Sequence, residues 1–186
     1  KIISWSLDLI FAAAVIVWVR GEVDLGSILI FLIWGCIQFN AHRLANDARM
    51  PAIMVVVAAI GLATIAWIGD ILADRNLAFG VSSTGLGFLV WLWFKRDLPL
   101  GFSFFWSSFT ALLLIALRVI EANPLMAVPI LVLGFVFFTD SILSQKKLWP
   151  TFFKQFAAPI IVCALSILPI VLASASALVA TTLINY

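Results

Sequence analysis

Seven long apolar runs, separated by short breaks that carry charged or turn residues, constrain the fold of this chain more than any other feature. A helix that crosses a bilayer core needs about 20 predominantly apolar residues. A mean hydropathy of +1.20 and 65% hydrophobic residues fit that class and lie far from soluble domains. We predict an all-α integral membrane protein, a single domain over residues 1–186 with about seven transmembrane helices. The predicted spans are Ile3–Val19, Ser27–Leu44, Met50–Leu72, Leu77–Phe94, Leu100–Val119, Pro124–Leu143 and Phe156–Ile184.

Basic residues divide unequally between the two predicted faces of the bundle. The face with the N-terminus carries eight of the 11 basic residues, and the opposite face carries Arg20, Arg75 and Arg118. Lys and Arg are enriched in cytoplasmic loops, so the N-terminus is predicted in the cytoplasm and the C-terminus outside. Short loops and this charge bias favour a bacterial inner membrane. The eight residues are Lys1, Arg43, Arg49, Lys95, Arg96, Lys146, Lys147 and Lys154.

The order of the spans also allows an internal symmetry. Three helices per unit would invert the second unit relative to the first, as in the inverted repeats of several transporter folds. One predicted arrangement is therefore a 3+3 inverted repeat followed by a seventh helix.

Three aspartates lie within the predicted spans, at Asp8, Asp70 and Asp140. Charge inside a bilayer costs roughly 2.5–3.5 kcal/mol on insertion scales, so such acids are the first candidates for a function. Each follows an aromatic residue by three positions, which in a continuous helix places ring and carboxylate on one face. The predicted topology puts Asp8 and Asp140 near the cytoplasmic face and Asp70 near the other. Each acid is either an interfacial residue paired with a nearby basic residue or part of a proton, cation or substrate site.

Polar residues also gather at the end of the second predicted span. Gln38 and His42 share one helix face by their spacing of four, while Asn40 and Arg43 share another. This cluster cannot face lipid, and His42 would titrate near neutral pH. It either lines a cytoplasmic vestibule or marks the point where the helix surfaces into water.

Small polar residues and prolines mark the later spans. Ser103, Ser107 and Thr110 form one polar face on the fifth span, where they serve either close helix packing or a polar solute pathway, with Ser107 as the binding candidate. Pro129, Pro159 and Pro169 each remove a backbone donor inside an apolar span. The carbonyls they free are candidate solute ligands, although such prolines also serve packing alone.

Several chemistries are disfavoured by composition and motif. Cys36 and Cys163 are far apart and the chain has one histidine, so we predict no metal, no disulfide and no cofactor. Eleven basic against nine acidic residues argue against nucleic acid as a partner. Serine hydrolase, zinc protease and Walker motifs are missing from the sequence, and no lysine lies mid-span to hold a Schiff base.

Two segments resemble the paired aspartate motifs of the lysoplasmalogenase-like YhhN membrane family: Gly69–Leu72, followed by Phe79-Gly80, and Gly134–Leu143. The resemblance implies that Asp70 and Asp140 are catalytic acids that act on a vinyl ether through activated water. The chain departs from the family pattern in having one helix too few between the motifs, no histidine near Trp91 and no glutamine in the last span. The predicted topology also places the two acids at opposite faces.

Three functions remain open at this point. The first is a polytopic membrane protein that binds or transports a small polar or lipidic solute. The second is an accessory or anchoring subunit of a larger membrane complex, with a protein partner or further copies of the chain besides the lipid bilayer. The third is an intramembrane aspartate-dependent lipid-modifying hydrolase, and on the motifs an enzyme is the less favoured class.

Overall fold

The computed structural model describes residues 2–44, 49–94, 102–138 and 167–182, which form helices joined by short connections, with no strand among them. The prediction of an α-helical bundle is confirmed for this part of the chain. The helices are α1 (Ile2–Arg20), α2 (Leu25–Leu44), α3 (Arg49–Ile68), α4 (Leu72–Phe94), α5 (Phe102–Ala122), α6 (Ala127–Gly134) and α7 (Ile167–Thr182); short 3₁₀ helices cover Pro124–Met126 and Phe135–Phe138.

Helix α3 forms the centre of the bundle. Every residue from Pro51 to Ala59 is buried, and α3 contacts α2, α4, α5 and α6. A helix that is apolar all round must be covered on every side or lie in lipid, and α3 is covered by its neighbours. Helix α1 packs against α2 and α5 and contributes Ala12, Val15 and Ile16 to the buried core.

The turn between α3 and α4 falls earlier than the sequence predicts. The N–H of Asp70 donates to the Trp67 carbonyl (3.0 Å) and the N–H of Ile71 to that of Ala66 (2.8 Å), the two bonds of a Schellman helix end. Asp70 has a φ of +57°, the left-handed conformation that this motif requires. Asp70 therefore lies in a turn rather than on a helical face shared with Trp67, and the charged residues after it, Asp74 and Arg75, belong to the first turn of α4.

The sixth predicted span is interrupted in the described residues. Helix α6 is eight residues long and lies between the two 3₁₀ helices. The chain enters this segment through Asn123, whose side-chain oxygen accepts the N–H of Leu125 at 3.1 Å. Pro129 lies in the first turn of α6, where its missing N–H would have no partner within α6. A proline is therefore tolerated at this position without breaking a hydrogen bond within α6.

Glycines allow two close approaches between helices. A Cβ on Gly85 of α4 would lie 2.6 Å from Cγ2 of Val56 on α3, and a Cβ on Gly61 of α3 would collide with the Leu133 side chain of α6. Small residues at such contacts let helix backbones approach closely. Close packing thus accounts for the glycine at position 85 of α4.

The outward faces of the bundle are apolar. Trp18, Leu25 and Phe94 are 76%, 79% and 82% exposed, and large apolar side chains also point outward from α7. By length and composition, one helix in the described part of the chain could cross a membrane, Pro51–Ile68, and 78% of that stretch is buried inside the bundle. Among the described residues, the helix that is long and apolar enough to cross a membrane is thus an internal one.

Candidate functional site

A cavity of about 280 Å³ lies between α2, α3, α5 and α6. Along α2 its lining runs from Gly26 to Ile37, which at a rise of 1.5 Å per residue is about 16 Å. We call this space the interhelical cavity. The lining residues include Leu29 and Ile33 of α2, Ala58 and Leu62 of α3, Leu113 and Ala116 of α5, and Ile130, Leu133 and Gly134 of α6.

The lining of the interhelical cavity is almost wholly apolar. Arg20, at the end of α1, is the one charged residue among those that line it. Apolar cavities smaller than this one remain free of water and bind apolar guests, because water inside them would lack hydrogen-bond partners. The cavity therefore suits a hydrocarbon chain rather than a polar solute.

Arg20, one of the lining residues, is held in place by Asp24, the residue before α2. Its Nη2 donates to Oδ2 of Asp24 at 2.7 Å. Oδ1 of Asp24 accepts the backbone N–H of Ser27 at 2.7 Å and its hydroxyl at 2.6 Å, which makes Asp24 the N-cap of α2. The hydrogen bonds from Ser27, together with the Arg20 charge, lower the pKa of Asp24 to about 2. The carboxylate is thus charged at neutral pH and fixes the guanidinium in place.

An aromatic cluster lies beside the cavity, and two of its members, Trp34 and Phe137, belong to the lining. The Phe109 ring lies 5.9 Å from the Trp34 ring and 5.4 Å from the Phe137 ring, centroid to centroid. Nδ2 of Asn40 donates to the Phe137 carbonyl, which ties α2 to the 3₁₀ helix after α6. Gln38 is also buried, and its Oε1 accepts no hydrogen bond. The carboxyl-terminal polar residues of α2 with described side chains are therefore packed inside the bundle.

An open recess lies at the end of the bundle where α1 and α5 finish and α3 turns into α4. Its volume is about 860 Å³, and Trp18, Asp70 and Glu121 are among its lining residues. In its wall, Nε of Arg118 lies 3.0 Å from Oδ1 of Asp74, whose side chain is 3% exposed. The distance is that of an ion pair, although the N–H is not directed at the oxygen as in a hydrogen bond.

Among the described side chains the one buried acid is Asp74, which sequence reasoning did not single out. The predicted spans leave Asp74 in the break between the third and fourth helices, because hydropathy places the loop at Asp74–Asn76. The signal that could have found it is Arg118, a lone cation at the end of an otherwise apolar fifth span that needs an acidic partner at the same face.

The candidate site residues predicted from the sequence do not all lie together in the described part of the structure. Gln38 and Asn40 lie together near the end of α2, whereas Asp70 lies at the far end of α3, a helix of 20 residues and so about 30 Å long. Ser107 is exposed on α5. Asp8, His42 and Arg43 lie within α1 and α2, but their side chains are not among those described, and Asp140 lies outside the described residues.

Within the described ranges, no group of three or more His, Cys, Asp or Glu side chains is placed to hold a metal ion. No protein-family model, curated protein or solved structure matches the chain.

Proposed function

We propose that this chain is a polytopic membrane protein that binds a lipidic solute in the interhelical cavity. The observation that carries the proposal is the apolar cavity of about 280 Å³, in whose lining Arg20 is the one charged residue. Ligand pockets commonly begin at about 300 Å³. A space of this size fits one hydrocarbon chain rather than a two-chain lipid.

The outward faces of the bundle support a membrane location. Soluble monomers rarely expose apolar patches larger than a few hundred Å², because such surface is poorly hydrated. Here Phe11, Leu32 and Val90, on three different helices, are 41%, 62% and 59% exposed. Side chains of this kind are compatible with lipid tails. The basic residues, concentrated eight to three on the side of the N-terminus, support an N-terminus in the cytoplasm and a bacterial inner membrane.

A subunit of a larger membrane complex is the second candidate. The same exposed apolar faces would pack against a partner protein as readily as against lipid, since both are apolar. The two functions differ in what the interhelical cavity contains: a solute-binding protein carries its ligand as an isolated chain, whereas an anchoring subunit has no need of one.

The third candidate, the hydrolase, gains less support. Asp70 occupies a left-handed turn that ends α3, and Asp and Asn are tolerated there better than most residues. A turn of this kind explains an acidic residue at the position without a catalytic role. The 3+3 inverted repeat likewise stays a prediction.

A cavity-filling substitution tests the proposed function. Ala116 of α5 lines the cavity, and Ala116→Leu would place three more carbon atoms in it. Ala14→Leu makes the same change on the exposed face of α1 and serves as the matched control. Both variants would be purified in mild detergent, and the lipids that they retain would be extracted and identified by mass spectrometry.

The proposal predicts that wild type and Ala14→Leu retain the same single-chain lipid in a stoichiometric amount and that Ala116→Leu loses most of it. Equal retention by all three proteins, or no discrete lipid in the wild type, would contradict the proposal.

A further inference from the structure

We infer that the interhelical cavity selects a straight hydrocarbon chain of medium length, with about eleven carbon atoms inside the protein. The inference rests on the proposed function and specifies the class of ligand. It follows from the volume of the cavity, from its length and from the cross-section that these two dimensions give.

The volume of the cavity limits the number of carbon atoms that it can hold. In another protein, an apolar cavity of about 150 Å³ binds benzene, a molecule of six carbon atoms. At that density the interhelical cavity, with its volume of about 280 Å³, holds about eleven carbon atoms. The long acyl chains of ordinary membrane lipids exceed this capacity.

The length of the cavity gives the same number independently. The lining extends along α2 from Gly26 to Ile37, about 16 Å. With carbon–carbon bonds of about 1.5 Å, each carbon of an extended chain advances about 1.25 Å, so eleven carbons reach about 12.5 Å between the terminal nuclei. The van der Waals radii of the two terminal methyl groups add about 3.5–4 Å. An extended chain of this size is therefore about as long as the cavity.

The cavity is narrow as well as long. A volume of about 280 Å³ spread over about 16 Å corresponds to a mean cross-section of about 18 Å², close to that of a single extended hydrocarbon chain. Ala58, Leu62 and Leu113, all buried in the core, form part of its walls. A branched chain or a fused ring is wider and would displace such side chains, and overpacking of a protein interior is unfavourable. The shape therefore favours a straight chain.

Ile37 is the lining residue that lies furthest along α2. Its side chain is 4% exposed, and a Cβ on Gly134 of α6, another lining residue, would lie 3.7 Å from its Cδ1. Helices α2 and α6 therefore approach each other at this end of the cavity. We expect Ile37 to limit the length of the bound chain, because Ile37→Ala removes three carbon atoms from the lining there.

A competition among hydrocarbons tests the inference. An equimolar mixture of octane, undecane, hexadecane and adamantane would be added to delipidated full-length protein in a neutral detergent. The hydrocarbons that copurify would be quantified by gas chromatography, and an unrelated helical membrane protein in the same detergent gives the amount dissolved in the micelle.

We expect the protein to retain about tenfold more undecane than octane, because octane leaves part of the cavity empty and a void of that size is unfavourable. Hexadecane should gain nothing over undecane, since its additional carbons find no further space in the cavity. Adamantane, a compact cage of similar carbon number, should stay near the micelle background.

A matched pair of variants tests the end of the cavity. Ile37→Ala should prefer tetradecane to undecane, because the removed carbon atoms lengthen the cavity. Ile53→Ala removes the same atoms from another buried position, outside the cavity lining, and should keep the wild-type preference. An unchanged preference in folded Ile37→Ala would contradict the assigned length, and the wild-type competition tests that length even if the variant does not fold.

The outcomes separate the two proposals. If octane or adamantane is retained as well as undecane, or if hexadecane is retained better, the inference about the chain is wrong while binding of an apolar ligand stands. If wild type retains none of the hydrocarbons above the micelle background, the proposed function itself fails.

Discussion

Nε of Arg118 lies 3.0 Å from Oδ1 of Asp74, and this contact joins the last turns of α5 to the first turn of α4. The two partners differ in environment, since the Asp74 side chain is 3% exposed and that of Arg118 is 52% exposed. A carboxylate taken out of water requires a compensating charge, and Arg118 supplies it at the edge of the bundle.

Removing the cation should destabilise the protein. Arg118→Ala leaves the Asp74 carboxylate buried without its partner, which costs roughly 1–3 kcal/mol of stability. Thermal unfolding followed by tryptophan fluorescence would measure the change. Arg75→Ala is the control, because the Arg75 side chain donates only to its neighbour Asn76, at 3.4 Å, and should change little.

A double variant separates charge from packing at this pair. Asp74→Asn combined with Arg118→Ala removes the uncompensated charge and should recover part of the loss caused by Arg118→Ala alone. Strict additivity of the two single substitutions would show that the ion pair contributes no coupling energy.

The contact between α3 and α4 should be sensitive to a single methyl group. Gly85→Ala forces its Cβ against Val56, and overpacking of this kind costs about 1–3 kcal/mol. Gly87→Ala, two residues along the same helix, meets nothing within 4 Å and should be neutral or stabilising by up to about 1 kcal/mol. Thermal unfolding of the two variants side by side tests the packing of the hairpin, and equal midpoints would contradict it.

The turn at Asp70 should prefer glycine. Asp70 has a φ of +57°, so Asp70→Gly removes a backbone penalty and should stabilise the protein by about 0.5–1 kcal/mol. Asp70→Val introduces a β-branched side chain in the left-handed region and should destabilise it. Asn76→Val, on the exposed side of α4, is the control for the change of side chain. If Asp70→Gly is the more harmful of the two changes at this position, the carboxylate has a role beyond the turn.

The cap of α2 should weaken in strong acid. The folded pKa of Asp24 is about 2, below its ordinary value of 3.8, because the charged carboxylate accepts hydrogen bonds from Ser27 and faces Arg20. The folded state therefore binds this proton less readily than the unfolded state does. The stabilisation is complete above about pH 4 and is lost as the pH falls toward 2. Asp24→Asn should show a smaller loss of stability across that window, and an identical pH profile would contradict the assignment.

Helix formation follows from the sequence, because each apolar run favours helix regardless of its neighbours. The position of the break between α3 and α4 was harder to predict from the sequence. Hydropathy responds to the charges at Asp74–Asn76, whereas Gly69 and Asp70 end the helix through backbone hydrogen bonds. The sequence also did not predict that the sixth span divides into short helical segments around Ala127–Gly134, because the composition of the span stays apolar throughout.

The candidate site could be predicted only in part. The cluster of polar residues at the end of the second predicted span included Gln38 and Asn40, which are both buried, and Asn40 donates to the Phe137 carbonyl. Sequence reasoning did not identify Arg20, because a basic residue at the end of a span is the ordinary signature of a membrane boundary. The cavity that Arg20 lines depends on how α2, α3, α5 and α6 diverge, and that divergence comes from packing rather than from any local motif.

Native mass spectrometry of the chain, extracted with mild detergent from the cells that produce it, tests the central claim most directly because it weighs subunits and retained small molecules together. The proposed function predicts the chain alone, or in copies of itself, with one discrete single-chain lipid per copy that is lost in Ala116→Leu. A stoichiometric complex with other proteins, without such a lipid, would contradict the proposed function and identify the chain as a subunit of a larger assembly.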